Sequence, residues 1–135
     1  MRISYSDDEL WPGQFELWQA NCKRSMRGKA GQKSLRELEA ALLNLPRKRL
    51  IANQLQDESG DVCAIGALVK AKGITPLHPE YEIEDIGVQC GMPRLVAWKV
   101  VEMNDVEFSR TSEERYGKLL SWVQREIARE DHPHA

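Results

Sequence analysis

The stretch from Gly60 to Gly73, GDVCAIGALVKAKG, limits the fold more than any other part of the chain. Cys63, Ala67 and Ala71 recur every four positions with Gly66 beside them, which is the spacing of one helix face. Side chains this small let neighbouring backbones approach closely, so the stretch reads as a buried central helix. Both ends are marked. Gly60 and Asp61 supply a turn and an N-cap, Gly73 supplies a left-handed stop, and Lys70 and Lys72 fall in the last turn, where the helix dipole favours cations.

The flanking segments supply the helices that would surround it. Phe15, Trp18 and Cys22 predict a helix from Gln14 to about Arg27. Residues 28 to 33 read as a flexible connector. Ser34 with Glu37 forms a capping box opening a helix through Leu45, whose buried stripe is Leu35, Leu38, Leu42 and Leu45. Pro46 ends it, and periodicity leaves Leu50 to Leu55 open between helix and extended chain. Ile74 to Pro79 is expected to be a loop containing His78. Ile83, Ile86 and Cys90 mark a short helix stopped by Gly91, and Pro93 starts the next, running to about Asn104. Thr111 with Glu114 opens a last helix to about Glu130, with Tyr116, Leu119, Leu120, Val123 and Ile127 facing inward. The expectation is all-α: a single compact domain of about six helices over residues 1–135, with an irregular arm at 1–13 laid down by Leu10 and Trp11 and a frayed tail at 131–135.

Composition narrows the function classes. With 41% hydrophobic and 30% charged residues, and no apolar run of spanning length, no membrane association is expected. Met1 to Glu9 holds no hydrophobic region, so no signal peptide is expected. Cys22, Cys63 and Cys90 are odd in number and far apart, which points to a reducing, cytoplasmic setting and away from a disulfide or zinc framework.

No catalytic constellation emerges. Residues 28–34 look superficially like a phosphate loop, but Gln32 and Arg27 stand where that pattern needs glycine, and a helix precedes the segment instead of a strand. Cys63 lies near a helix start without a histidine base close by, and it reads as a buried small residue. The Asp131-His132-Pro133-His134 tail and scattered carboxylates such as Glu102, Asp105 and Glu107 form no recognisable metal or acid–base set. No cofactor and no enzymatic activity are expected.

The charge distribution is the stronger functional signal. Between Lys23 and Arg49 nine bases face only Glu37 and Glu39, a local +7, whereas the whole chain carries −2. A segregated field of this kind steers charged partners. The expected partner-binding residues are therefore Arg24, Arg27, Lys29, Lys33, Arg47, Lys48 and Arg49, with a protein or nucleoprotein as partner. The alternative is direct DNA or RNA binding, by the same segment or by Arg94 and Lys99. Those two lie in a stretch, residues 83–101, whose Ile86, Gly87, Gly91, Met92 and Val100 follow the outline of a helix-turn-helix. Glu80, Glu82, Glu84 and Asp85 beside it favour a structural corner over a DNA reader.

Several motifs carry a family resemblance: RGKxGQxxLREL from Arg27, KRLIA from Lys48, DVCAIGA from Asp61, VAW from Val96 with Asn104-Asp105, and EERY from Glu113 with Ser121-Trp122-Val123. Together they resemble a group of small proteins encoded in bacteriophages and prophages. The resemblance implies context, with no activity or catalytic residue attached: an accessory factor in the host cytoplasm that acts on host or phage macromolecules. Inhibitors of host defence complexes are one such class.

Overall fold

The computed structural model describes residues 13–76, 81–105 and 110–128. Among them are six helices: α1 (Gln14–Arg27), α2 (Lys29–Leu43), α3 (Ala64–Lys72), α4 (Ile83–Gln89), α5 (Arg94–Asp105) and α6 (Ser112–Glu126). The only extended pairing among the described residues is an isolated bridge between Gln56 and Val62. The fold is all-α, as the periodicities predict. The N-terminal arm before Gly13, His78, Glu107 and the 131–135 tail lie outside the described residues.

Helix α3 is the centre. Ala64 through Val69 are all buried, and the helix packs on α2, α4 and α5. Gly66 is where the close approach occurs, since a Cβ there would stand 2.3 Å from the Leu55 carbonyl oxygen. The small-residue face is shorter than expected, because Ala71 is exposed while Cys63 and Ala67 are buried. The helix also starts later than Gly60-Asp61. Its N-cap is Cys63, whose Sγ accepts from the Gly66 N–H at 3.3 Å, and Asp61 is drawn away to arginines described below. Gly73 ends it in the left-handed region at φ 62°, as expected.

Helix α2 corrects the largest expectation. Residues 29–33 are helix and not connector, so one residue, Gly28, separates α1 from α2. Ser34 is buried in the second turn and caps nothing. The crossing is tight at Gly31, where a Cβ would come within 2.0 Å of the Ser25 carbonyl oxygen and 2.8 Å of Met26 Cα. Glycine at 31 is thus a packing requirement of the helix pair and not a sign of flexibility. Leu35, Leu38, Leu42 and Leu45 form the buried stripe that their spacing predicts.

Residues 50–55 are neither helix nor ladder strand. A buried asparagine at the end of α5 holds this segment in place. Asn104, 1% exposed, donates from Nδ2 to the Ile51 carbonyl at 2.9 Å and accepts on Oδ1 from the Ala64 N–H at 3.0 Å. One side chain thereby fixes the loop and satisfies a free amide at the start of α3. Asp105 beside it accepts from the N–H of Asn53, a residue at φ 66°.

The corner between α4 and α5 forms as the spacing predicts. Gly91 takes φ 101°, the Met92 N–H donates to the Gly87 carbonyl, and a Cβ on Gly87 would stand 3.0 Å from that of Ala97. Pro93 precedes the first residue of α5 by one position. Thr111 caps α6 by accepting from the Glu114 N–H at 3.0 Å. Helix α6 ends at Glu126, short of Glu130; its inward face adds Trp122 to the expected residues, with Leu120 only partly buried against the core.

Candidate macromolecular interface

The basic segment divides into two groups with opposite surroundings. Arg47, Lys48 and Arg49 follow α2 and turn back onto the protein. Arg47 meets Asp61 at 2.8 Å and donates to the Ser59 carbonyl. Arg49 Nε lies 3.5 Å from Asp61 and 3.3 Å from Glu113. Lys48 donates to the Leu43 and Leu45 carbonyls at 2.6 and 2.8 Å and sits over the Tyr116 ring, so it satisfies acceptors that the end of α2 leaves open. These three cations tie α2 to the start of α3 and to α6. Carboxylates oppose the charges of Arg47 and Arg49, whereas Lys48 is held by carbonyls alone.

The second group lies around the α1–α2 corner. Arg24 and Arg27 are in the last turn of α1, where the helix dipole favours them. Lys29, Lys33 and Arg36 are at i, i+4 and i+7 on α2 and therefore share one face. Arg24 donates to Asn21, and Arg36 donates to the Ala128 carbonyl; neither bond neutralises charge. No carboxylate among the described residues is paired with Lys23, Arg24, Arg27, Lys29 or Lys33, and all five are exposed. Glu37, one of the two acids in the segment, is bound by Lys72 at 2.9 Å. The first turn of α2 holds no acid, unlike those of α4 and α6.

Gln32 positions this surface. Its Nε2 donates to the Met26 and Glu126 carbonyls at 2.8 and 2.9 Å, and its Oε1 accepts from the Ala128 N–H at 2.7 Å. The amide that disqualified the phosphate-loop pattern is thus the pin joining the end of α1, the start of α2 and the end of α6. Arg125 of α6 lines one depression together with Arg27 and Gln32. Arg125 and Arg36 were not among the expected residues. The signal for Arg36 was available, since it continues the Lys29–Lys33 spacing once residues 29–33 are read as helix. Arg125, far away in the chain, is placed only by the tertiary fold.

The alternative pair is differently committed. Arg94 meets Asp85 of the preceding helix at 2.8 Å. Lys99 has a side chain only 13% exposed, contacts Glu102 and Gln19, and lies over the Trp18 ring. They steady the α4–α5 corner and the α1–α5 contact.

The cysteines are poor nucleophiles at neutral pH. Burial pushes the Cys63 and Cys22 thiols up to about 11, and burial raises Cys90 as well, so each remains protonated. Among the described residues no cluster of three or more His, Cys, Asp and Glu side chains could hold a metal ion, and no helix is long and apolar enough to cross a membrane. Comparison with family models, with curated proteins and with solved structures returns no match.

Proposed function

We propose that this protein is a non-catalytic accessory factor that docks on an anionic macromolecular partner, a protein or nucleoprotein, through the α1–α2 corner. One observation carries the reading: Lys23, Arg24, Arg27, Lys29 and Lys33 are exposed and have no carboxylate partner among the described residues, while the neighbouring Arg47 and Arg49 do. Cations left unanswered across a rigid helix corner steer an oppositely charged surface and engage it without rearrangement. In this reading Arg47, Lys48 and Arg49 move from the binding surface to the fold. Action on host or phage macromolecules in the bacterial cytoplasm, including inhibition of a defence complex, is the context that the phage resemblance adds.

Direct nucleic-acid recognition through Arg94 and Lys99 gains no support from the geometry, because both charges are already opposed by carboxylates. The test is a pull-down from bacterial lysate with wild type and with Arg27→Glu/Lys29→Glu/Lys33→Glu. Loss of the captured partner with an unchanged thermal melt is expected. Retention of the partner by the folded variant would remove the proposal.

A further inference from the structure

We infer that the component of the partner contacted by this corner is duplex nucleic acid, held through its phosphates without reading sequence. The inference rests on the docking proposal and narrows it. Two adjoining depressions share Gln32: one lies along the Lys29, Lys33 and Arg36 face of α2, the other between Arg27 of α1 and Arg125 of α6. Ser121 and Arg125 carry the second into a further depression along α6. The three cations of α2 span about 10 Å at the helical rise, or roughly three base-pair steps, and Arg27 and Arg125 extend the row.

Three features select a duplex over other anionic partners. The exposed large apolar side chains among the described residues, Leu17, Leu43 and Tyr81, line none of these depressions; the large apolar residues that do, Ile127, Met103 and Leu119, are buried or half-buried in the fold, so no exposed apolar or aromatic anchor of the kind a protein interface centres on stands there. No aromatic side chain lines them either, so unstacked bases of a single strand would find no platform. Finally, the cations are spread over three helices instead of being presented by one helix to base edges, which is an arrangement that positions on phosphates and specifies nothing. Of the acids at the first two depressions, Glu37 is neutralised by Lys72, leaving Glu126 against five cations.

The test is fluorescence anisotropy of the full chain with a mixed-sequence 20-base-pair DNA duplex, the matching RNA duplex and one DNA strand alone, from 50 to 200 mM salt. About five phosphate contacts give a slope of log K on log salt near −4.5, hence a loss of about 500-fold over that range. Arg125→Gln should flatten the slope by about one. Lys29→Glu/Lys33→Glu should abolish binding, with circular dichroism confirming the fold. A preference for either duplex supports the inference and names its source. A flat slope, no duplex binding at 50 mM, or tighter binding to the single strand overturns it. If no duplex binds but the charge-reversed protein still loses its lysate partner, that partner is an acidic protein: the inference fails and the docking proposal stands. If the charge-reversed protein keeps its lysate partner, the docking proposal fails as well.

Discussion

Arg47-Lys48-Arg49 and the Lys23–Lys33 cluster look alike in the sequence and do opposite things in the fold. The first is the denser run, yet Asp61 and Glu113 oppose its two arginines, and the Leu43 and Leu45 carbonyls at and just beyond the end of α2 hold Lys48 against the fold. The second is interrupted by glycines and small residues and keeps its charge facing solvent. Whether a cation is available depends on what other elements bring to it, and local charge density does not report that. Asp61 decides the matter here, and it was first read as a helix cap. It sits only 10% exposed between two arginines contributed by the segment that follows α2.

Substitutions separate the two groups, and the severest lies at the helix crossing that holds the second. Gly31→Ala forces a Cβ into backbone atoms of Ser25 and Met26 that cannot give way as a side chain would. Overpacking of that severity should cost about 3 kcal/mol or more in a denaturant melt and should also displace Lys29 and Lys33. A neutral Gly31→Ala would mean that the α1–α2 crossing is looser than described.

Gln32→Ala removes three hydrogen bonds at a half-buried site and leaves two carbonyls and one amide to find water. A loss of about 1–2 kcal/mol is expected, together with weaker partner binding because the end of α6, which carries Arg125, is no longer tied to the α1–α2 corner. Stability lost with binding fully retained would separate α6 from the binding surface. Asp61→Ala is expected to be milder, about 1 kcal/mol, since Arg47 and Arg49 are substantially solvent-exposed and solvent screens the pair. Urea unfolding would check it. A loss above about 3 kcal/mol would make the arginine clamp a core element and not a surface tie.

Much of this architecture was legible in the residues. Leucines at 35, 38, 42 and 45, the stop at Gly73, the corner around Gly87 and Gly91 and the cap at Thr111 all follow local rules that the fold obeys. The failures share a cause. Glycines at 28 and 31 suggest flexibility in the sequence, but Gly31 is there because another helix passes within contact distance, and that neighbour is invisible to periodicity. Ser34 looked like a cap because its local motif is correct, but tertiary packing had already started the helix a turn earlier. Asn104 and Gln32 gave no signal at all. Apart from the bond from Gln32 to Met26, six positions away, their roles consist of bonds to residues 40 to 96 positions away, and an amide that joins distant backbone groups looks in sequence like any exposed polar residue.

The two basic groups divide fold from partner binding in this proposal, and a paired measurement separates them. Thermal melts and partner capture are recorded for Arg47→Gln/Arg49→Gln and for Lys29→Gln/Lys33→Gln, with capture measured well below either melting temperature. The account predicts that the arginine pair lowers the melt and keeps the partner, while the lysine pair melts like wild type and loses most of it. Partner loss on neutralising the arginines, with capture intact after neutralising the lysines, would contradict the division and return the interface to residues 47–49.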